Sequence, residues 1–449
     1  MGEYKAMLKA PADWIGQIPE HWECKKIGSL FTERKTKVSD TDYSPLSVTK
    51  IGIVPQLANA AKSDSGDNRK FVCSGDFVIN SRSDRKGSCG VSELDGSVSL
   101  INIVLTPRTN WNNKYVHYLM RSQPFSEEYY HYGRGIVADL WTTRYSEMKN
   151  ILLPIPPRDE QDQIVGFLDW KVSSINRLIN IKKREIKELE DLLYTIISST
   201  VLYGVAGKNT NEQWEKVRLS YTTWIRARLG WKGLKASEYV DNGYPFLSAF
   251  NIVNNKLSWD ALNYINKQRY DESPEIKLSI GDILLVKDGA GIGKCARIDN
   301  MPFGESAPNG SLAVITPSSN LNYKYLYYYF ISNAFRNEMF KIITGMGVPH
   351  LTQHFLKNVE IPCPPLSIQE EISTYLDVIS ERINALIDNK KESIENLHEY
   401  RNRLISDTVT GKVDVRDIEI PEYEFTDESA DSDSENVDFD ADADEEQED

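Results

Sequence analysis

The chain contains an internal repeat with a period of about 208 residues, and this repeat constrains the fold more than any other feature of the sequence. The segment PIPPRDEQ at 154–161 returns as PCPPLSIQ at 362–369, and the similarity then continues without a gap, so that Asp169 corresponds to Asp377. A repeat of this length predicts two structurally similar halves related by a pseudo-twofold axis.

Weaker matches lie upstream of the two proline hinges. A Gly-Asp pair precedes a short apolar run at 75–80 and again at 281–286, and similar tetrapeptides surround Trp22 and Trp214. Each half therefore has the same order of features: a tryptophan-containing opening, a mixed region, a proline hinge and a long helical segment.

A heptad pattern follows each hinge. Apolar residues between Leu168 and Ile196 alternate steps of four and three, with Lys182 as a polar interruption, and the second half repeats the pattern between Leu376 and Leu404. Each predicted helix has about 40 residues, which corresponds to roughly 60 Å at 1.5 Å per residue.

Two helices with one apolar seam each predict an antiparallel coiled coil in which the seams bury one another. The alternative is that each helix is only the last core helix of its own domain, although four heptads exceed what such a helix needs. The residues predicted to form the coiled coil are Leu168, Ile175, Ile179, Ile186, Leu189, Leu376, Ile383, Leu386, Ile394 and Leu397.

The two mixed regions, at about 20–155 and 212–363, contain short strand-like runs that Gly, Asn, Asp and Pro separate. Each region also contains one amphipathic aromatic helical pattern, near 113–131 and 322–342. We therefore expect an α+β protein, in which two α/β domains with irregular, strongly bent sheets accompany the coiled coil.

The net charge of −14 comes from the end of the chain. Residues 419–449 contain 16 acidic and no basic residues, whereas the rest contains 52 basic and 50 acidic residues. This composition predicts a disordered tail. It also excludes a strongly basic domain, so any nucleic-acid surface must be local.

Five cysteines without a CxxC pair, and an N-terminus without the apolar stretch of a signal peptide, favour a reducing, cytoplasmic location. No apolar run approaches the roughly 18 residues of a membrane span.

The opening WIGQIPEHWE, the two Gly-Asp units, both proline hinges and the paired heptads occur in one order and are duplicated. Together they resemble the specificity subunits of type I restriction-modification systems, over residues 13–416. The resemblance implies two target-recognition domains separated by an antiparallel coiled coil, each of which reads one half of a split double-stranded DNA target.

The resemblance also implies partners. Two modification subunits that use S-adenosylmethionine would dock on the helical core, where the seam residues support subunit assembly. Two ATP-dependent restriction subunits would complete a Mg²⁺-dependent translocase and nuclease, so we expect no cofactor in this chain. The implied domains are a recognition domain at 1–157, a spacer helix at 158–204, a second recognition domain at 205–365, a second spacer helix at 366–411 and an acidic tail at 412–449.

Two features of this arrangement agree with elementary physics. Half-sites on one face of B-DNA lie about one helical turn, roughly 34 Å, apart, and rigid helices can fix such a distance. The two mixed regions differ greatly in sequence, which favours an asymmetric target over a palindrome.

Two motifs resemble catalytic or metal sites but lack essential residues. The run from Asp288 to Lys294 has only three residues between Gly289 and Gly293, whereas a phosphate-binding loop needs four. His350 and His354 have a zinc-compatible spacing but no third ligand. With no Asn-Pro-Pro-Tyr loop of an adenine methyltransferase either, the sequence predicts a non-catalytic, metal-free subunit.

DNA contacts require Lys and Arg for phosphates, and Arg, Asn, Gln or Ser for base edges. The loop at 80–86 combines basic and polar residues after a strand and is our first candidate for a DNA contact. In the second half, the candidates are basic residues near two tryptophans and basic residues beside the glycine-rich run from Asp288 to Lys294. The predicted DNA-binding residues are Lys50, Arg69, Lys70, Asn80, Arg82, Arg85, Lys86, Arg226, Arg228, Lys232, Lys287 and Lys294.

Two other functions remain open at this point. The chain could be a fused methyltransferase or nuclease with an unrecognised site, in which case it would modify or cut DNA alone. It could also be a coiled-coil scaffold joining two protein-binding domains, in which case its complexes would prefer no DNA sequence.

Overall fold

The computed structural model describes residues 2–56, 66–82, 85–135, 141–205, 214–227, 234, 238–289, 291–340 and 350–427. The chain divides into two compact units. The first unit contains Met1–Lys183 together with Lys391–Asp449, and the second contains Arg184–Lys390. Each unit therefore combines one mixed region with a part of both long helices.

The first long helix spans Arg158–Tyr203 (46 residues) and the second spans Leu366–Val409 (44 residues). Both begin directly after the proline hinges, where a proline carbonyl accepts hydrogen bonds from the first turn. Both end before a glycine in the left-handed conformation, Gly204 at φ +84° and Gly411 at φ +77°, which a residue with a Cβ rarely adopts.

In the first unit, the beginning of the first long helix lies beside the end of the second. Leu168, Ile175 and Ile179 belong to the same buried core as Leu404 and Val409. The predicted seam residues Ile394 and Leu397 pack on this core and are half-buried.

In the second unit, the relation is reversed: Ile197 and Val201, near the end of the first long helix, share a core with Ile372 and Leu376 of the second. The polar interruption Lys390 donates a hydrogen bond to Glu185 Oε2 at 2.6 Å, which joins the two helices.

Other predicted seam residues of the second unit differ in burial. Ile383 is buried, and Ile186 and Leu189 are half-buried. Leu386 is 50% exposed, whereas its neighbour Ile387 is 5% exposed. The contact between the helices therefore passes through Ile387 at this position and not through the predicted Leu386.

The predicted fold class is confirmed: the protein is α+β, and its two long helices pack together in antiparallel directions within a duplicated architecture. Among the described residues, no helix combines the length and the apolar character that crossing a membrane requires.

A four-stranded antiparallel sheet forms the centre of each unit, with the strands in the same order. The strands Phe77–Asn80 and Ile283–Val286, which follow the two Gly-Asp pairs, are buried along their whole length. The first central sheet has the order Cys89–Val91, Phe77–Asn80, Asn102–Pro107 and Phe31–Glu33, and the second has Cys295–Arg297, Ile283–Val286, Leu312–Pro317 and Thr223–Ala227.

Smaller sheets and short helices surround each central sheet. In the first unit, Met7–Lys9 pairs with Gln17–Pro19, Glu23–Lys26 with Leu152–Ile155, Arg69–Val72 with Gly96–Val98 and Lys37–Val38, and Leu46–Thr49 with Gly52–Pro55; the helices are Ile27–Leu30, Asn113–Arg121, Gln123–His131 and Tyr145–Met148. In the second, Lys216–Arg218 pairs with Glu360–Pro362, Tyr244–Leu247 with Asn263–Ile265 and Ala307–Pro308, and Ile252–Val253 with Lys256–Leu257; the helices are Leu219–Thr222, Lys267–Asp271, Tyr323–Ile331, Asn333–Phe340 and Gln353–Asn358.

The two aromatic helical patterns were predicted as single helices, but each is interrupted by a serine. Ser122 and Ser332 adopt extended backbone conformations between consecutive helices, and their hydroxyls donate to the carbonyls of Leu119 and Tyr329. A serine that bonds to the preceding turn offers the backbone an alternative to continuing the helix, which explains both interruptions.

A buried aspartate from each Gly-Asp pair stabilises the central sheet. Asp76 accepts hydrogen bonds from Arg34 Nε at 2.7 Å and Thr106 Oγ1 at 2.9 Å. At the equivalent place in the second unit, Asp282 accepts from Arg226 Nη2 at 2.9 Å and from Thr316. The sequence repeat therefore corresponds to a repeated ion pair with a buried aspartate, in which the arginine is half-buried in the first unit and buried in the second.

A tyrosine in each unit bonds to both long helical segments of that unit. Tyr115 donates to the carbonyl of Pro154, just before the first long helix, and to that of Val409, at the end of the second. Tyr325 donates in the same way to Pro362 and Val201. Each mixed region is thereby fixed to the start of one helix and the end of the other.

A second repeated contact involves the aspartate eight positions after each hinge glutamine. Asp169 accepts from Lys114 Nζ at 2.8 Å and from Tyr118 at 2.9 Å. Asp377 accepts from Lys324 Nζ at 2.7 Å, and Tyr328 and Arg297 also donate to it. Burial raises the pKa of Asp377, but these three hydrogen bonds outweigh it and hold the pKa below its usual value.

Residues 412–427, which we name the C-terminal strap, lie along the first long helix, although the sequence predicts that this segment belongs to the disordered tail. Val415 is fully buried, and Ile418 and Ile420 pack on the core of the first unit. Three aliphatic residues are enough apolar surface to dock a short segment against a preformed core. Residues 428–449 lie outside the described residues.

Polar side chains of the first long helix hold the strap through its backbone. Gln163 donates to the carbonyls of Val415 and Ile418, and Ser173 to that of Glu424. The strap carbonyls at Thr426 and Asp427 accept from two further amides, those of Asn176 and Asn180.

Removing the strap should destabilise the first unit. We expect a chain ending at Lys412 to lose about 3–5 kcal/mol, since burial of an aliphatic side chain contributes about 1.5–3 kcal/mol. The measurement is urea unfolding, with amide hydrogen exchange of residues 158–183 to read the first unit separately. A chain ending at Asp427 is the matched control and should keep the full stability. Equal stability of the two truncated chains would contradict this assignment.

Candidate nucleic-acid interface

The described residues of the loop after strand Phe77–Asn80 are hydrogen-bonded through their backbone and present basic side chains. Asn80 is buried, and its Oδ1 accepts from the backbone N–H of Arg82 at 3.0 Å. The backbone N–H of Arg85 donates to Arg82, and that of Ser88 to Arg85. Arg82 and Lys86 are exposed and Arg85 is half-buried, so the predicted loop brings three positive charges together at one edge of the sheet.

Aromatic residues from a later segment form the second wall of this loop. Trp141 stacks on Tyr130 with ring centroids 5.9 Å apart, and Lys86 Nζ lies 5.3 Å from the centroid of Tyr130. Backbone bridges join Thr142 to both Arg82 and Arg134. The result is a cleft between basic and aromatic side chains, which we name the first-unit cleft.

Part of this cleft was not predicted from the sequence. Tyr130, Trp141 and Arg121 line it, but they lie 41 to 61 positions after the candidate loop begins, and no pattern in the sequence links them to it. Such a combination of cationic side chains and half-buried aromatic rings suits a nucleic acid, whose phosphates attract cations and whose bases stack on rings.

The equivalent turn of the second unit has different chemistry. It joins strands Ile283–Val286 and Cys295–Arg297 and is tied to a later segment by the hydrogen bond from the backbone N–H of Leu351 to the carbonyl of Lys287. Asp288 forms an ion pair with Lys287 and a hydrogen bond with His350, and Lys294 is exposed. The two units therefore present unlike side chains at equivalent positions.

Three other predicted DNA contacts are engaged within the protein. Arg69 is 6% exposed and donates to Ser97, and Lys70 donates to the carbonyl of Asn102 at 2.7 Å. Burial lowers the pKa of Lys70. Arg226 is 6% exposed and pairs with Asp282, so these side chains support the sheets from inside.

The remaining predicted contacts are Lys50 and two residues of the second half. Lys50 is exposed at the turn after strand Leu46–Thr49, and Arg121 donates to its carbonyl, which places this turn beside the first-unit cleft. Arg228 and Lys232 lie outside the described residues.

The two motifs that resemble catalytic or metal sites adopt ordinary local structures. Gly289 and Gly293 have φ angles of +84° and +87° in the turn between two strands, and no helix follows as a phosphate loop would require. His354 lies in the short helix Gln353–Asn358, where its ring contacts Asn358. In the described part of the chain, no three or more His, Cys, Asp or Glu side chains are grouped to hold a metal ion.

The burial of Arg226 leads to a stability prediction. Arg226→Leu leaves Asp282 buried without its counter-charge, which typically costs about 3–5 kcal/mol. We expect a corresponding fall in the unfolding free energy of the second unit, measured by urea titration with hydrogen exchange. Lys294→Gln removes an exposed charge from the same unit and should change stability by less than about 0.5 kcal/mol. Similar stabilities for the two variants would show that the buried pair is dispensable.

Comparison with known proteins agrees with this architecture. Residues 211–396 match the family model of the type I restriction modification DNA specificity domain. The type I restriction enzyme MjaVIII specificity subunit of Methanocaldococcus jannaschii is 26% identical over 281 residues, which cover 60% of this chain and 64% of that protein. The putative MjaX specificity subunit of the same organism is 22% identical over 435 residues, 90% of this chain and 96% of that protein.

A solved structure described as the structural basis underlying complex assembly and conformational transition of the type I R-M system has the same fold. It aligns with a TM-score of 0.65 at 18% identity and covers 88% of this chain and 99% of that chain. The chain is therefore similar to the specificity subunits of type I restriction-modification systems, and its residues 211–396 match their DNA specificity domain.

Proposed function

We propose that this chain reads the DNA sequence for a type I restriction-modification complex, and that each unit reads one half of a bipartite, asymmetric target. The observation that carries the proposal is the pair of equivalent sheet-edge turns with unlike side chains. The first has Arg82, Arg85 and Lys86 beside two stacked aromatic rings, whereas the second has Lys287 and Lys294 with an Asp288–His350 pair. One frame with two different surfaces suits two different half-sites.

The long helices would serve as the ruler that sets the spacer between the half-sites. The first long helix runs unbroken from Arg158 to Tyr203, and the second from Leu366 to Val409, so each contributes residues to both units. At 1.5 Å per residue the longer helix measures roughly 70 Å, which is enough to span two turns of B-DNA at about 34 Å each.

Partner subunits would supply the chemistry. In this proposal the chain recruits two methyltransferase subunits, which use S-adenosylmethionine, and two restriction subunits, which use ATP and Mg²⁺, while it catalyses no reaction itself. The proposed recognition domains keep their predicted limits of 1–157 and 205–365. The direct test is genome-wide methylation profiling of cells with and without the gene: one split motif should be methylated only when the chain is present.

Neutralising the basic loop of the first-unit cleft should weaken DNA binding in a salt-dependent way. Each lost phosphate contact changes the slope of log affinity against log salt by about 0.9. We expect Arg82→Gln combined with Lys86→Gln to reduce this slope by about 1.8, measured with the complex of this chain and its modification subunit on a random-sequence duplex. Lys9→Gln alters an exposed lysine of the same unit and serves as the control. An unchanged slope in the double variant would remove this loop from the interface.

Lengthening both long helices should lengthen the spacer of the target. Seven residues inserted after Lys183 and seven after Lys390 preserve the heptad register and add roughly 10 Å, or about three base pairs. We expect the methylated motif to keep both half-sites and to gain about three spacer positions. As a comparison, insertion into one helix alone should misalign the seam and abolish methylation. A motif with its original spacer in the doubly lengthened chain would contradict the ruler.

A further inference from the structure

The first-unit cleft contains positive charges that the described residues leave without a counter-charge. Within the part of the chain that the structure describes, Arg82, Lys86 and Arg121 line the cleft and have no carboxylate partner. Arg34 of the same unit, by contrast, pairs with Asp76 at 2.7 Å. Unpaired cations in a concave surface attract an anionic ligand, and the proposed DNA is one such ligand.

Arg121 shows the missing counter-charge most clearly. Its Nη1 lies 2.7 Å from His117 Nε2, and its Nη2 donates to the carbonyl of Lys50. Burial lowers the pKa of His117 to about 3, so this imidazole is neutral. Burial also lowers the pKa of Arg121, and the nearby positive charge of Arg401 acts in the same direction. An anion that enters the cleft would therefore stabilise a guanidinium whose described partners are neutral.

The C-terminal strap brings the end of the described chain close to Arg121. The carbonyl of Thr426 accepts a hydrogen bond from Asn176, and Asn176 Oδ1 accepts one from Arg401 at 2.6 Å. Arg401 is the cation whose charge acts on Arg121. Two hydrogen bonds thus separate the strap from a cation that influences the cleft, and all of these residues belong to the first unit. The residues that follow Asp427 therefore start close to the cleft.

The strap also shows which kind of sequence contacts a cation in this unit. Phe425 follows an acidic residue, and the centroid of its ring lies 5.8 Å from Lys114 Nζ. The same pattern returns at 438–440, where a phenylalanine stands between two aspartates. The cleft offers the matching surface, because Lys86 Nζ lies 5.3 Å from the ring centroid of Tyr130 and further cations line the same space. Carboxylates pair with cations and a phenyl ring packs on aromatic rings, so this run fits the cleft.

The part of the chain that contains this run is strongly acidic. Residues 428–449, which we name the terminal acidic segment, contain 12 acidic and no basic residues. The run at 438–440 begins 11 positions after Asp427, which corresponds to a reach of up to roughly 36 Å. A ligand attached by such a tether has an effective concentration of about 1 mM. The equivalent turn of the second unit lacks the same excess of positive charge, because Lys287 forms an ion pair with Asp288.

We propose that the terminal acidic segment binds the first-unit cleft when DNA is absent, and that DNA must displace it. Asp438 and Asp440 pair with the cations of the cleft. Phe439 packs beside the ring of Tyr130. The inference rests on the proposed function, because the site that it regulates is the proposed contact with one half-site. A competitor attached to the chain lowers the affinity for every duplex by the same factor, so random DNA, which is held by phosphate contacts alone, is released while the target remains bound.

The test compares DNA binding with and without the segment, in the complex of this chain and its modification subunit on a random-sequence duplex. Ending the chain at Asp427 should raise the affinity about fivefold, because a ligand at about 1 mM with a dissociation constant of about 0.2 mM occupies most clefts. In the background of Arg82→Gln with Lys86→Gln, the same truncation should raise the affinity by less than about twofold. A full-length chain whose segment has Asn and Gln in place of Asp and Glu should bind like the truncated chain.

Cross-linking locates the segment in the same complex without DNA. A carbodiimide joins a lysine amine to a carboxylate that contacts it, so we expect Lys86 to be joined to the segment, and we expect an excess of duplex to prevent this reaction. Lys9, which is exposed in the same unit, is the matched control and should not be joined to the segment. A complex in which Lys86 is never joined to the segment would refute the docking.

Two results of the affinity measurement would also overturn the inference. An equal gain in both backgrounds would show that the segment repels DNA at long range without occupying the cleft, and no gain in either background would show that the two do not compete. If no form of the chain binds the duplex while the Lys86 cross-link still forms, the proposed function is refuted, and the competition is refuted with it.

Discussion

The buried apolar contact between the two long helices is the interaction on which the other elements depend. In the first unit, Leu168 and Ile175 at the start of one helix meet Leu404 near the end of the other, and the second unit repeats the arrangement with Val201 and Leu376. Within the described residues, neither mixed region contains a long helix of its own, so each completes its core with one helix start and one helix end. The antiparallel direction is therefore required by the packing of both units, and a chain carrying only one of the helices would leave both cores incomplete.

The repeat conserves the internal frame and varies the surface. Asp76 and Asp282 form the same buried pairs with arginine and threonine, and Tyr115 and Tyr325 make the same bonds to helix carbonyls. These side chains form their hydrogen bonds inside the protein, where an unpaired polar atom lowers the stability of the fold. A substitution of one partner would therefore leave the other partner unpaired and would destabilise the protein. Exposed side chains on the sheet-edge turns carry no such penalty. The two units thus share their buried hydrogen-bonded pairs and differ in the exposed side chains of their sheet-edge turns. Such an arrangement would allow one architecture to recognise two unlike sequences.

How much the sequence could predict depended on how local each signal is. The heptads predicted both long helices because the pattern lies within one element, and the repeated Gly-Asp pair indicated the buried strands. The role of a single cation depends on partners far along the chain: Arg69 bonds to Ser97 and Arg226 to Asp282, and nothing in the neighbouring residues distinguishes them from the exposed Arg82. The aromatic wall of the first-unit cleft was missed for the same reason. The sequence did indicate that the strap could pack on the core, since Val415 and its neighbouring isoleucines are unusual in an acidic tail. The excess of acidic residues nevertheless led to the prediction of disorder.

The strap also shows where the two halves stop being equivalent. The first long helix holds it with donors at 163, 173, 176 and 180, and one repeat later the second long helix has Glu371, Glu381, Asn384 and Asp388. Ionised carboxylates accept hydrogen bonds but donate none, so three of these four positions cannot bind the carbonyls of an extended segment. Arg401 strengthens the difference because it donates to Asn176 Oδ1 at 2.6 Å and thereby turns the amide NH₂ toward the strap. The donor set is thus specific to the first helix. It follows that the strap is an addition to one half of a duplicated frame, and that the stability it contributes belongs to the first unit alone.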